Sequence, residues 1–230
     1  MCDILAEATR CARRNQRQSA LTFNFSTIKM PKKTTPRQVR IIGGTWKRTP
    51  LTVLDAPGLR PTPDRVRETL FNWLTFLFQG DWQSRRCLDL FAGSGALGME
   101  AASRGAALVT LVDSYLPAVR QLEQVKAKLK AEQVHIIAGD ALSVVKKLTV
   151  NTINEENRYS VIFLDPPYHR DLLVQILPHC MALLESDGLL YLEAEKALTP
   201  ADLPDCLKNW QVIRNDRAGQ VHFHLLQRNV

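Results

Sequence analysis

Short apolar runs alternate with amphipathic stretches along most of the chain. After residue 80 each run is followed by a segment with helical spacing, so the order strand then helix repeats. The runs are largely apolar, which is typical of strands buried on both faces of a parallel sheet. This pattern predicts a doubly wound α/β fold with helices on both faces of the sheet. The predicted parallel strands are CLDLF, LVTLVD, VHIIAGD, YSVIFLD and GLLYLEAE.

The two ends of the chain depart from this repeat. Residues 39–54 hold two β-like runs around a Gly-Gly pair, which predicts a hairpin. Thr62 is a candidate N-cap, followed by a proline and an acid, and helical spacing then continues over residues 65–78. Residues 210–228 form two β-like runs joined by Ala-Gly. We expect them to be an antiparallel pair that closes one edge of the sheet.

The basic residues concentrate at the N-terminal end. The chain has a net charge of +7, yet within residues 1–50 eleven Lys and Arg residues stand against two acids. A basic front on a nearly neutral body favours a polyanionic partner such as nucleic acid. We expect residues 1–35 to be a basic, disordered extension, with Met30 as an alternative start. One domain should follow over 36–230, in which residues 36–60 form a basic flap.

Composition argues against several other classes of protein. The five cysteines are scattered and include no C-x-x-C pair, so we expect neither a zinc site nor a redox centre. We also expect the protein to work in a reducing cytoplasm. No stretch approaches the roughly 18 apolar residues of a membrane span. His222 and His224 alternate on a strand, but two imidazoles without further ligands do not define a metal site. We therefore expect no metal and no membrane.

A glycine-rich segment follows the first parallel strand and opens a helix. Gly93 and Gly95 let the backbone approach a ligand closely, as in folds that bind nucleosides. The spacing G-x-G-x-x-G alone does not separate methyltransferases from dinucleotide enzymes. Asp89, however, lies on the strand where dinucleotide folds usually place an apolar residue. Its carboxylate suits a cationic ammonium or sulfonium, which favours S-adenosylmethionine over NAD.

Acids recur at the ends of the next two strands. Asp113 is placed to accept hydrogen bonds from ribose hydroxyls, and Asp140 with the backbone of Ala141 to read an adenine edge. Asp140 taken alone is equally consistent with a helix cap. The recurrence favours a nucleoside site. The expected cofactor-binding residues are Asp89, Phe91, Ala92, Gly93, Gly95, Asp113, Asp140 and Ala141.

The most specific motif is D-P-P-Y at the end of YSVIFL. Two prolines stop the strand and form a rigid turn, so that Asp165 and Tyr168 lie at the carboxyl edge of the sheet. An exocyclic amine is a poor nucleophile because its lone pair is delocalised into the ring. Asp165 can hold the N–H groups while Tyr168 stacks on an extruded base. The expected catalytic residues are Asp165, Pro166, Pro167 and Tyr168.

Together these motifs resemble the amino-methyltransferases, and in particular the bacterial small-subunit ribosomal RNA guanine-N2 methyltransferases of the RsmD type. The resemblance spans about residues 37–228 and keeps the segments in order. The matching segments are VRIIGGTWKR, GLRPTPDRVRETLFNWL, CLDLFAGSGALGMEAASRG, FLDPPY, YLEAE and AGQVHFHLLQR.

The resemblance implies a class I Rossmann-like methyltransferase fold. Its sheet has seven mostly parallel strands with an antiparallel C-terminal strand, preceded by an N-terminal β-hairpin. It further implies S-adenosyl-L-methionine as the donor, guanine N2 in 16S rRNA of the small ribosomal subunit as the acceptor, and a cytoplasmic enzyme, which we expect to be a monomer. The expected RNA contacts are Lys47, Arg48, Arg60, Thr62, Arg65 and Arg67.

Other functions share some of these features. A DNA adenine-N6 methyltransferase would use the same glycine loop and D-P-P-Y, but the 62 residues after Tyr168 leave little room for a DNA recognition region. A protein-glutamine methyltransferase would more typically carry Asn at the position of Asp165. A non-catalytic RNA-binding protein on this fold explains the basic front, and a dehydrogenase explains the glycines. Neither of these last two needs an intact D-P-P-Y.

Overall fold

A sheet of seven strands organises the domain formed by the described residues. The computed structural model of the chain describes residues 37–54, 62–151, 157–166, 170–194, 196–199 and 203–229. The expectations for residues 1–35, Arg60, Pro167 and Tyr168 lie outside the described residues. Residues Pro36–Val230 form one compact unit.

Strands and helices alternate through the middle of the chain, as the apolar pattern predicts. In chain order the elements are β1 (Gln38–Arg40), β2 (Pro50–Thr52), α1 (Asp64–Leu77), β3 (Arg86–Asp89), α2 (Ala96–Ser103), β4 (Leu108–Asp113), α3 (Leu116–Leu129), β5 (Val134–Ala138), α4 (Ala141–Asn151), β6 (Tyr159–Leu164), α5 (Arg170–Leu183), β7 (Leu184–Ala194), β8 (Trp210–Ala218) and β9 (Val221–Arg228).

The main sheet has the strand order β5-β4-β3-β6-β7-β9-β8. Strands β3 to β7 run parallel to one another, and β9 runs antiparallel to both β7 and β8. The doubly wound, mostly parallel sheet with an antiparallel C-terminal strand is therefore confirmed. The strand order reverses between β3 and β6, and ligands of such sheets bind in the crevice at the carboxyl ends of the strands at that point.

Apolar side chains fill both faces of the sheet. All six residues of β6 are buried. One core cluster joins α1, α2 and α3 to the sheet, and it includes Leu70, Met99 and Leu122. The other cluster joins α4 and α5 to the opposite face, and it includes Val145 and Ile176. Burial on both faces is why these strands read as nearly continuous apolar runs.

Two element boundaries differ from the sequence-based expectation. Helix α1 begins after Pro63 without a side-chain cap, so the expectation that Thr62 is the N-cap is wrong. The Thr62 hydroxyl instead donates to Glu193. Strand β7 begins at Leu184 rather than at Gly188. Leu184 pairs with Tyr159 ahead of an irregularity in the register, which adds residues to the start of the strand.

The predicted N-terminal hairpin forms and packs on the body of the domain. Strands β1 and β2 pair antiparallel, with Val39 opposite Leu51. Val39, Ile41, Leu51 and Val53 are buried in the core cluster that also holds α1. Burial of these four apolar side chains stabilises the hairpin in place, because apolar surface leaves water on docking.

Candidate active site

Four acidic residues meet at the carboxyl edge of the sheet. Asp89, Asp113 and Glu193 lie at or near the ends of β3, β4 and β7, and Asp165 directly follows β6. Parallel strands end at a common edge, so these carboxylates surround the crevice between β3 and β6. The structure thus brings together two of the expected cofactor residues, Asp89 and Asp113, and the first residue of the D-P-P-Y motif.

The glycine loop is shaped for close approach by a ligand. Gly95 caps the N-terminus of α2 with φ of +79°, and a Cβ there would lie 2.6 Å from Leu122 Cδ2. The Gly95 N–H donates to the Ala92 carbonyl at 2.6 Å, and the Ala92 N–H donates to the Val112 carbonyl at 2.9 Å. A side chain at position 95 would be strained by its backbone and by this packing. The turn therefore requires glycine.

Asp113 fixes the glycine loop from the neighbouring strand. Its Oδ2 accepts the Gly93 N–H at 2.7 Å, and its Oδ1 accepts the Tyr115 N–H at 2.7 Å. A carboxylate oxygen has two lone pairs, so each oxygen can accept a second hydrogen bond. The side chain is partly exposed. This geometry suits a carboxylate that accepts ribose hydroxyls while it holds the loop.

Asp140 lies at the edge of the site and caps a helix. Its Oδ1 accepts the Ser143 N–H at 2.9 Å in the first turn of α4. The residue itself is exposed, whereas Ala141 is buried. Such a bond satisfies one of the free N–H groups at a helix start. The capping interpretation of Asp140 holds in the structure, and its contact to adenine stays a prediction. The expected cofactor contact of Phe91, which is partly buried, also stays a prediction.

Asp89 is a buried carboxylate below the glycine loop. It is 3% exposed, and its Oδ2 accepts the Gly98 N–H at 3.1 Å. Burial raises the pKa of Asp89 to about 7, against the lowering effect of the Gly98 and Phe91 N–H groups, and the Asp113 carboxylate adds to the rise. A nearby cation would favour the ionised form. The position therefore fits the ammonium or sulfonium of the expected cofactor.

Asp165 is placed at the crevice by the end of β6. Burial raises the pKa of Asp165 well above its ordinary value, and repulsion from the Glu193 and Asp89 carboxylates adds to the rise. Perturbed carboxyl groups of this kind concentrate at functional sites. Pro166 next to it is partly buried.

Glu193 is a site residue that the sequence-based prediction missed. Its Oε1 accepts the Thr62 hydroxyl at 3.1 Å and the Tyr191 hydroxyl at 2.8 Å. Burial raises the pKa of Glu193, and the two hydroxyl bonds lower it. A signal was present, since Glu193 is a further acid near the end of a predicted parallel strand, like Asp113.

Three of the expected RNA-binding residues lie on the surface. Lys47 and Arg48 are exposed on the loop between β1 and β2, and Arg65 is exposed in the first turn of α1. Exposed basic side chains are available to RNA phosphates. Thr62 is 6% exposed and its hydroxyl donates to Glu193, so it holds a carboxylate at the carboxyl edge of the sheet instead of facing RNA phosphate.

The expectation that Arg67 faces RNA is wrong. Its side chain is fully buried. Nη2 donates to Asp64 Oδ1 at 2.6 Å, and Nη1 donates to the Arg40 carbonyl at 2.8 Å. Arg67 lies on the same helical stripe as Leu70 and Leu74, which face the core. The guanidinium therefore joins α1 to the end of β1 and is not available to phosphate.

The basic hairpin is held in place by helix α2. Glu100 is fully buried and accepts the N–H groups of Ile42 at 2.6 Å and Gly43 at 2.8 Å. The Ser103 hydroxyl donates to the Gly43 carbonyl at 2.6 Å. Gly44 has φ of +74°, and a Cβ there would lie 1.9 Å from the Ser103 carbonyl oxygen. The loop with Lys47 and Arg48 is thus fixed by the helix that starts at the glycine loop.

The described residues contain neither a metal cluster nor a membrane helix. No group of three or more His, Cys, Asp or Glu side chains within them is arranged to hold a metal ion. His224 is buried, and its Nε2 accepts the Leu198 N–H at 3.0 Å. None of the helices in these ranges combines the length and apolar character needed to cross a membrane.

Comparison with known proteins assigns the family. A family described as "Conserved hypothetical protein 95" matches residues 39–227. Ribosomal RNA small subunit methyltransferase D of Escherichia coli is 40% identical over 207 residues, which cover 87% of this chain and 96% of that protein. The chain belongs to the methyltransferase D family. The protein of the same name from Haemophilus influenzae is 38% identical and covers 83% of this chain and 94% of its own length.

Solved structures agree with this assignment. The chain aligns with yhhF of Escherichia coli, a candidate methyltransferase, with a TM-score of 0.68 and 37% identity over 84% of this chain and 99% of that one. A Thermus thermophilus 16S rRNA N2 G1207 methyltransferase, solved with AdoMet and guanosine, aligns with a TM-score of 0.59 and 21% identity over 85% of this chain and 50% of that one. This second likeness shows the fold alone. The predicted family and the class I methyltransferase fold are confirmed.

Proposed function

We propose that this protein transfers a methyl group from S-adenosylmethionine to the exocyclic N2 of one guanine in 16S rRNA of the small ribosomal subunit. The observation that carries the proposal is the position of Asp165, which follows β6 at the switch point beside the glycine loop. The names of the relatives from Escherichia coli and Haemophilus influenzae support a small-subunit rRNA substrate. We also place the enzyme in the cytoplasm, where subunits are assembled.

The residues at the glycine loop fit the donor. Asp89 offers a buried carboxylate that a cation would stabilise in its ionised form, and Asp113 has further lone pairs for hydroxyl donors. Gly95 allows the backbone to turn closely around a ligand. When bound there, S-adenosylmethionine supplies an electrophilic methyl group on its sulfonium. NAD would have no comparable need for Asp89.

Asp165 supplies the chemistry on the acceptor side. Its carboxylate accepts an N–H of the guanine amine and thereby directs the nitrogen lone pair towards the methyl group, so positioning lowers the barrier. After transfer the nitrogen is cationic, and its proton passes to Asp165 or to water. The raised pKa of Asp165 makes its ionised form a better proton acceptor than an ordinary carboxylate.

Exposed cations in the N-terminal part of the domain support an RNA substrate. Lys47 and Arg48 lie on the loop that α2 fixes, and Arg65 lies at the start of α1, two residues after Pro63. The hydroxyl of Thr62, just before that helix, donates to Glu193 at the carboxyl edge of the sheet. Phosphate bound by Arg65, three residues after Thr62, would lie near the edge where Glu193 and Asp165 lie.

The test is transfer of labelled methyl to small subunits purified from a strain that lacks the gene, followed by nucleoside analysis. The wild type should form N2-methylguanosine, and Asp165→Asn should lower kcat by roughly 100-fold or more, because a neutral amide accepts the amine N–H more weakly and cannot take up its proton. Asp187→Asn is the matched control, since Asp187 is an exposed aspartate near the opposite end of β7.

Each other outcome rejects part of the proposal. Methyladenine, or methyl groups found only in DNA or protein, would contradict the guanine assignment. Binding of S-adenosylhomocysteine without transfer to any acceptor would indicate a non-catalytic RNA-binding protein. Equal activity of Asp165→Asn and wild type would remove Asp165 from the mechanism.

A further inference from the structure

Asp165 and Glu193 form a pair of carboxylates on adjacent parallel strands. Leu164 of β6 pairs with Leu192 of β7, so the next residue on each strand reaches the edge at the same level. Neighbouring strands lie about 4.8 Å apart. Repulsion from Glu193 raises the pKa of Asp165, which places the two carboxyl groups within electrostatic reach of one another. The crevice therefore offers two acceptors side by side.

Glu193 is held in a defined orientation. Thr62 and Tyr191 both donate to Oε1, at 3.1 Å and 2.8 Å. Thr62 is 6% exposed and Tyr191 is fully buried, so both donors are themselves fixed by packing. Two donors on one oxygen restrict rotation of the carboxylate and leave the lone pairs of Oε2 to face another donor. Such preorganised acceptors are typical of a recognition site.

The edge of guanine offers matching donors. Its N1–H and its exocyclic N2–H groups are adjacent, whereas adenine has an acceptor at N1. A carboxylate beside N1 accepts a hydrogen bond from guanine and repels the lone pair of adenine. A site whose acceptors match the donors of one base leaves them unpaired with another base, and this produces discrimination.

We propose that Glu193 is a specificity-determining residue that accepts the guanine N1–H while Asp165 accepts an N2–H. Thr62 and Tyr191 act as positioning residues for Glu193. The inference rests on the proposed function, because it assigns a second contact to the same guanine. It also gives Thr62, which is buried, a role in base recognition.

The experiment compares wild type, Glu193→Gln and Glu185→Gln in methyl transfer to small subunits from the strain that lacks the gene. Glu185 is a matched control at the opposite end of β7, where it accepts the Ser160 hydroxyl. We expect Glu193→Gln to lower kcat/KM by roughly 10- to 100-fold, with S-adenosylhomocysteine affinity unchanged. Glu185→Gln should stay within about twofold of wild type, as expected for a change away from the site.

A pH profile separates recognition from a purely structural role. Removing the Glu193 charge relieves the repulsion on Asp165, so the acidic limb of kcat/KM should move to lower pH in Glu193→Gln. A loss of packing would lower the rate at every pH without moving that limb. Glu193→Gln with wild-type kcat/KM, or with an unmoved acidic limb, would overturn the inference.

A second variant covers the case in which Glu193→Gln does not fold. Thr62→Val keeps the Glu193 carboxylate and removes one of its two donors, and it should lower kcat/KM several-fold. An unchanged rate in a folded Thr62→Val protein would then overturn the inference. The product formed by the wild type separates a failure of this inference from a failure of the proposed function. If the wild type forms N2-methylguanosine, the proposed function stands whatever the rates of Glu193→Gln and Thr62→Val. If it forms another product, both proposals fail.

Discussion

The buried Glu100 carboxylate offers a direct test of how the basic hairpin is fixed. Glu100 Oε2 accepts the Ile42 N–H at 2.6 Å, and Oε1 accepts the Gly43 N–H and the Arg104 Nε at 2.8 Å each. The change Glu100→Gln keeps the shape of the side chain and removes its charge. One oxygen becomes an NH2 group that must face an N–H of the hairpin or of Arg104. At least one of the three bonds is then lost.

The size of the effect follows from these contacts. A hydrogen bond to a charged group contributes about 1.5–3 kcal/mol, and removal of one partner from a buried ion pair costs roughly 3–5 kcal/mol. The Arg104 side chain is 16% exposed, so water offsets part of its lost pairing. We therefore expect Glu100→Gln to lower the free energy of unfolding by roughly 2–4 kcal/mol. For a domain of this size this corresponds to a fall in Tm of roughly 5–15 °C.

Thermal denaturation measures that loss, and limited trypsin digestion reports on the hairpin itself. Undocking exposes the backbone around Lys47 and Arg48, so Glu100→Gln should be cut there faster than wild type. Glu123→Gln is the control, because Glu123 is an exposed carboxylate on α3. If Glu100→Gln keeps the wild-type Tm and the wild-type rate of cleavage, the carboxylate does not hold the hairpin.

Two further predictions concern the glycine loop. Because burial raises the pKa of Asp89 to about 7, the folded chain keeps a proton that the unfolded chain releases above about pH 4. The free energy of unfolding should therefore fall by roughly 2–4 kcal/mol as the pH rises from about 4 to about 7. Urea titrations of Asp89→Asn should lack this part of the decline. An Asp89→Asn protein with the wild-type pH slope would contradict the prediction. Asp113→Asn should weaken S-adenosylhomocysteine binding about tenfold by calorimetry, since an amide cannot accept both the Gly93 and Tyr115 N–H groups. Wild-type affinity would refute that role.

The sheet and its ligand edge could be predicted from sequence because local patterns determine them. Strands buried on both faces are apolar at nearly every position, as in β6, and turns that require positive φ carry glycine, as at Gly95. Acids that follow successive strands necessarily meet at one edge, so Asp113 and Asp165 could be placed there. These features need no knowledge of distant contacts.

The missed features depend on contacts between distant parts of the chain. Thr62 and Glu193 are 131 residues apart, and Ile42 and Glu100 are 58 residues apart. No local pattern indicates such pairs. Arg67 could have been placed correctly, because it shares the helical stripe of the buried Leu70 and Leu74. Its charge suggested the surface, but the hydrogen bonds that its buried guanidinium donates to Asp64 and to the Arg40 carbonyl offset the cost of burying that charge.

Helix α2 has a consequence for how this family can vary in length. It spans eight residues, Ala96–Ser103, which is about 12 Å. Its first turn follows Gly95, and its last turn presents Glu100 and Ser103 to the hairpin. Inserting or deleting one residue would rotate one end against the other by about 100°. Relatives that keep both contacts should therefore keep the number of residues between Gly95 and Ser103 constant, and insertions should fall elsewhere.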